Sequence, residues 1–203
     1  MKKYLLAFSV LAGSVLGVNN IGVSAEENNV NKEENPLFEN LKAKNPDWTV
    51  TSVTAEEVAE IKEELSEQKI TRASAPPVTG LYIDQVASQL GTVNEYYEEI
   101  GLYQSTSHEV QGTVGIGVLE EGYGNDWQWL GSELITYSHP DYIVDTASLD
   151  FNGDNIIDGF YHAVFFDSDA KITSGTSKLY KFKTISQNSP WNTIERSINI
   201  PHK

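Results

Sequence analysis

From Pro76 to the C-terminus, apolar residues recur with a period of two. A strand turns successive side chains to opposite faces, so this alternation predicts strands with one face in a core. Strands are expected over 80–86, 112–119, 127–137, 160–166, 179–185 and 197–200, separated by turns rich in Gly, Asn, Asp and Ser. Val114, Ile116 and Val118 share one face of the second strand and Gly115 and Gly117 the other, a pattern expected where a ring or backbone packs close. Phe160–Phe166 is apolar on both faces and belongs in the middle of the fold. Tyr180 and Phe182 alternate with Lys181 and Lys183, one pair inward and the other outward. Residues 94–103 are acidic and aromatic and read as a short helix or an irregular connection. No internal repeat is visible. The expectation is an all-β fold, a single antiparallel β-sandwich or partly closed barrel over residues 76–203.

The chain upstream is of another kind. Residues 1–25 read as a signal peptide: Lys2 and Lys3, an apolar run from Leu5 to Val18, and a small-residue cleavage site at Val23-Ser24-Ala25. The run is too short for a membrane span and is interrupted by Asn19-Asn20. Residues 26–75 are expected to be an acidic linker or pro-segment, disordered from Glu26 to Asn40. One helix is expected within it, at about 54–69, opened by a capping box of Thr54 and Glu57. Val58, Ile61 and Leu65 give that helix only a narrow apolar stripe, suited to weak docking. Ala75-Pro76-Pro77 ends the segment.

Charge narrows the choice of partner. The formal net charge is -15, and no Lys or Arg lies between Ala73 and Ala170, where sixteen Asp and Glu fall. Such a surface repels phosphate backbones and anionic lipid, so neither nucleic acid nor membrane is an expected partner. There is no cysteine, which excludes both disulfide staples and thiol catalysis. Rigidity has to come from a core or from a metal.

A metal loop is the most specific local pattern. Asp150, Asn152, Asp154 and Asp158 stand at relative positions 1, 3, 5 and 9, with Ile156 offering a backbone carbonyl at position 7. Hard oxygen ligands at this spacing suit calcium, as a structural cofactor bound at about 0.1–1 mM. The alternative is an Asx-rich turn without metal. The loop resembles those of integrin-type propeller repeats, D-x-[DN]-x-D-G-x-x-D, except that Asn155 stands where glycine is usual. It resembles an EF-hand only in part, because Tyr161 occupies position 12, and Asp167 or Asp169 would have to complete the ligand set. Ala75-Pro76-Pro77-Val78 and Leu119-Glu120-Glu121-Gly122-Tyr123-Gly124 also give residues 75–200 a resemblance to the YolA-like family of small secreted bacterial proteins. That resemblance implies a secreted address and supplies no reaction.

No catalytic constellation stands out. The four histidines form no metal-binding pair, and His162, alternating with Phe160 and Val164, reads as a core imidazole. There is no nucleophile elbow and no phosphate-cradling glycine loop. Glu120, Glu121, Asp126 and Glu133 cluster near Tyr123, Trp127 and Trp129, which brings glycoside hydrolysis into view. Glu120 and Glu121 are adjacent on a strand and face opposite ways, so they are not a catalytic pair. Trp127 and Trp129 would share one strand face about 7 Å apart, a spacing that suits successive sugar rings if the face is exposed and a core if it is not. The expected function is non-catalytic extracellular binding of a glycan or cell-surface ligand through Tyr123, Trp127 and Trp129. A secreted glycoside hydrolase and a secreted toxin or antagonist are the alternatives.

Overall fold

A computed structural model describes residues 35–67, 76–89, 94–96 and 105–203. The signal peptide read at 1–25 lies outside the described residues. The elements are α1 (Pro36–Lys44), β1 (Thr49–Val53), α2 (Ala55–Glu67), β2 (Gly80–Ser88), β3 (Asn94–Tyr96), β4 (Thr113–Glu121), β5 (Gly124–Leu130), β6 (Glu133–Ile135), β7 (Ile143–Asp150), β8 (Gly159–Asp167), α3 (Ser168–Lys171), β9 (Ser177–Ser186) and β10 (Thr193–Pro201). Among the described residues, no helix is long and apolar enough to cross a membrane.

Two antiparallel sheets face each other. One runs β1-β7-β8-β4-β2-β3 and the other β10-β9-β5-β6. They do not close into a barrel. Their inner faces meet in a core that includes Leu81, Ile83, Val114, Ile116, Val118, Val164, Phe166, Tyr180, Phe182, Ile198 and Ile200. The alternation expected in β4 and β9 therefore holds, with Tyr180 and Phe182 inward.

The six-stranded sheet is buried on its outer face too, which explains the two-sided apolar character of β8. Leu37, Phe38 and Leu41 of α1 pack there against Ala147, Leu149, Tyr161 and Ala163. Burying three such side chains stabilises by about 1.5–3 kcal/mol each. The glycines of β4 lie beneath this layer. A Cβ on Gly115 would stand 2.8 Å from the Phe165 ring, and one on Gly117 would stand 2.5 Å from Tyr161 Cζ. The close ring packing expected of these glycines is what the fold uses.

Residues 35–67 depart from expectation. From Asn35 to Lys44 the chain is a packed helix rather than disordered, and the described part is not a loose linker. Asn35 caps α1 by accepting from Leu37 N and donates Nδ2–H to Asp145 Oδ2 at 2.9 Å. β1 then pairs with β7 over five residues, from Thr49↔Asp150 to Val53↔Thr146. A nine-residue helix with three buried side chains is too short to give a clear period among polar neighbours, so tertiary packing decides it. The helix expected at 54–69 is α2, and its capping box forms: Glu57 N donates to Thr54 Oγ1 and Thr54 N to Glu57 Oε2.

Candidate functional site

The inner face of β4 runs Val114, Ile116, Val118 and then Glu120, so a carboxylate ends an apolar row. β8 repeats the device one strand away, with His162 opposite Val118 and Phe160 opposite Glu120. From the facing sheet, Asp126 on β5 and its cross-strand partner Thr184 on β9 turn toward the same place. Glu120, Asp126 and His162 thereby bring three ligand-type atoms within 4.8 Å of one another.

Glu120 is wholly buried and fully engaged. Its Oε1 accepts from Thr184 Oγ1 at 2.8 Å, and its Oε2 lies 3.1 Å from His162 Nε2. On the other side of the imidazole, Nδ1 is 3.4 Å from Thr146 Oγ1, which is 2.7 Å from the Tyr137 hydroxyl. The ring is flanked by Phe160 and Phe182. Gly124 makes the close approach of the sheets possible: a Cβ there would come within 2.6 Å of Glu120 Oε1 and closer still to Thr184 Oγ1.

The cation in this cluster is Lys62, four residues after Val58 on α2. Its Nζ donates to Asp126 Oδ2 at 2.5 Å and to the Gly124 carbonyl at 2.6 Å, and stands 5.2 Å from the centroid of the Phe160 ring. Asp126 Oδ1 is buried and has no hydrogen-bond partner among the described residues. Burial pushes the Glu120 carboxyl above its ordinary range and nearby Asp126 adds to this, while His162 and Lys62 draw it back only in part. For Lys62 burial works downward, and the negative field of Asp126 and Glu120 outweighs it, holding the ammonium charged beyond its usual range.

The sequence expectations divide here. Of the four acids expected to cluster, only Glu120 and Asp126 meet. Glu133 lies away from them, bound by Lys171 at 2.8 Å, Tyr142 at 2.7 Å and His139 at 3.2 Å. His162 is a core imidazole, as read, but one bonded to an acid. Lys62 drew no expectation from the sequence. The signals were a Glu and a His at inward positions of apolar strand faces, and a Lys one turn beyond Val58.

Tyr123 is corrected. It is buried, meets Phe160 edge-on at 5.5 Å and donates its hydroxyl to the Ile157 carbonyl, so it is a core residue and cannot line an open ligand face. Trp127 and Trp129 do lie on the outer face of the four-stranded sheet, opposite Lys183 and Lys181, while Gln128 and Leu130 turn inward. Trp127 is 38% exposed, and Lys181 Nζ rests 4.4 Å from the centroid of the half-buried Trp129. Leu134 and Leu179 extend this face with exposed apolar surface.

The Asp150 loop joins β7 to β8. Asp150 accepts from the backbone N–H groups of Asn152, Gly153 and Asn155. Asn152 accepts from Asp154 N, Asp154 from Ile156 N and Asp158 from Phe151 N. Burial works to raise the Asp150 carboxyl, and these N–H groups outweigh it and hold it below its ordinary range. Asn155 takes the left-handed conformation (φ 65°), and the Ile156 side chain is exposed. The side chains at positions 1, 3 and 5 thus form successive Asx turns, and that at position 9 closes the loop back onto Phe151 N. Asp167 and Asp169 sit at the far end of the nine-residue β8, capping α3 and facing His202, so they do not complete a ligand set with this loop. Among the described residues, the groups that bring three possible metal ligands together are Glu120–Asp126–His162 and Glu133–His139–Asp141.

No curated protein and no solved structure matches this chain. The family described as Domain of unknown function (DUF4879) matches residues 73–200, and the chain belongs to that family. The match begins after α2, so Lys62 and the helix that carries it lie outside it.

Proposed function

We propose that this protein is a secreted, non-catalytic binding protein whose ligand is a glycan or another cell-surface molecule, taken up on the outer face of the four-stranded sheet. The observation that carries the reading is the placing of the exposed Trp127 and the half-buried Trp129 on one outer strand face, with Lys183 and Lys181 beside them. Indole faces about 7 Å apart can stack on successive sugar rings, and neighbouring ammonium groups favour an anionic polysaccharide over a neutral one. In a chain carrying -15 overall, a local pair of lysines is the natural contact for such a ligand. Retardation in native gels cast with polysaccharide tests this. Trp127→Ala and Trp129→Ala should each abolish retardation while Glu120→Gln leaves it intact; retardation unchanged in both tryptophan variants would refute the reading.

A second reading, hydrolysis by Glu120 and Asp126, is favoured by the approach of their carboxylates and by the raised affinity of Glu120 for a proton. Lys62 Nζ is bonded to Asp126 Oδ2, so turnover would require Asp126 to be released from it. Loss of polysaccharide turnover in Glu120→Gln alone would select it. Calcium at the Asp150 loop belongs to the same proposal as a structural cofactor, supported by the alternate placing of Asp150, Asn152, Asp154 and Asp158 and the carbonyl of Ile156. A site of millimolar affinity would raise the melting midpoint by a few degrees in excess calcium and not in Asp154→Ala. Identical curves with chelator and with calcium would leave an Asx-turned loop without metal.

A further inference from the structure

The polar cluster between the sheets has an occupant, and the occupant comes from outside the family domain. Lys62 Nζ meets one carboxylate oxygen, one backbone carbonyl and one aromatic face, those of Asp126, Gly124 and Phe160. A carboxylate and a carbonyl accept two of its three N–H bonds, the ring stabilises the charge, and Glu120 adds field without a direct hydrogen bond. The buried Asp126 Oδ1 leaves further acceptor capacity unused. Every receptor group belongs to residues 73–200, and the ligand group does not.

The helix that delivers Lys62 turns a narrow apolar face to the sheets. Of its described side chains only Val58 is buried, with Ile61 partly buried against the cluster of Tyr123 and Phe160. An open groove of about 740 Å³ runs between α2 and the four-stranded sheet, lined by residues including Ala59, Lys62, Asn125, Ile185 and Trp191. The ammonium bonds to Asp126 and Gly124 are thus among the contacts that seat α2.

From this arrangement we infer that Gly124, Asp126, Phe160 and Glu120 form a primary-ammonium receptor, closed in cis by Lys62 and opened to a lysine side chain or small alkylamine when α2 lifts away. The site is distinct from the outer tryptophan face, and its test is independent of glycan binding. A buried Lys–Asp pair of purely structural use would not need an exchangeable partner, and exchange is what the experiment reads.

The test uses the full chain with Lys62→Ala. Its melting midpoint should fall below wild type and then rise with n-propylammonium, by about 5–10 °C at a hundredfold excess over the dissociation constant. The same salt should leave wild type unmoved, because Lys62 already fills the site. Tetramethylammonium, which has no N–H, should give no rise, and adding Asp126→Asn should abolish the rescue by propylammonium. Nα-acetyl-lysine methylamide acting at lower concentration than n-butylammonium would assign the receptor to lysine side chains of polypeptides; the reverse order would assign it to free amines. Equal response of wild type and Lys62→Ala to propylammonium overturns the inference, as does rescue by zinc or manganese and not by amines. If Lys62→Ala does not fold, amine-reactive labelling of folded Asp126→Asn is read by mass spectrometry at Lys62. Labelling about tenfold faster than in wild type is expected from loss of the charge-assisted bond, and an unchanged rate overturns the inference.

Discussion

Replacing Gly117 with alanine tests how the six-stranded sheet is assembled. The added methyl would stand 2.5 Å from Tyr161 Cζ and 3.0 Å from Cε1, with the hydroxyl nearer still. Tyr161 has nowhere to retreat. It is wholly buried, meets Phe38 of α1 edge-on at 6.0 Å, and donates to Asp84 Oδ2 at 3.2 Å. Overpacking costs about 1–3 kcal/mol, and losing a hydrogen bond to a carboxylate about 1.5–3 kcal/mol more. Against this, alanine is better than glycine in a strand by about 0.5–1 kcal/mol. The net destabilisation is about 2–5 kcal/mol, or about 4–20 °C for a domain of this size. Thermal denaturation followed by circular dichroism measures it, and Tyr161→Leu in the same chain should recover part of the loss. A midpoint within 1 °C of wild type, or no coupling between the two substitutions, would refute the packing argument.

Leu41→Ala should cost about 2–5 kcal/mol, since Leu41 is on the buried face of α1; a change below about 0.5 kcal/mol would mean that α1 is not docked in solution. Glu120→Gln should change the pH dependence of stability. The folded protein holds the Glu120 proton more tightly than the unfolded chain, so the stabilisation is present below about pH 4.3 and is lost as pH rises through the folded value. Glutamine does not titrate, so the variant should gain on wild type as pH rises from about 4.3 through the folded value in urea melts; parallel profiles would contradict this. Tyr123→Ala should cost about 3–5 kcal/mol and Trp127→Ala less than about 1 kcal/mol, which separates the core aromatic from the exposed one in the same melting assay.

Alternation along β2, β4, β8 and β9 is local, and those strands were legible because each buries at least one face with a period of two. The capping box of Thr54 and Glu57 was legible for the same reason: its partners are three residues apart. β7 was missed. Its inner face carries Thr146 and Ser148, so its sequence Ile143–Asp150 lacks the apolar alternation that marks its neighbours. β1 was missed because an edge strand of five residues takes its place from pairing with β7, 93 to 101 residues away, and not from its own composition.

The site divides along the same line. That Glu120 and His162 each break an apolar row is written in the chain, and so is the acidic pattern of Asp150–Asp158. That the two rows end side by side, facing Asp126 from the other sheet, follows from register, which no local pattern specifies. The exposure of Trp127 and the burial of Tyr123 also depend on which side of a sheet finds a partner. Lys62 is the clearest case. A lysine on a glutamate-rich helix is read as solvated, because the free energy of its charge is set by what surrounds it and not by its neighbours in sequence. Folding brings a carboxylate, a carbonyl and a ring to one point, and only there does an ordinary surface residue become the counter-ion of a buried acidic pair.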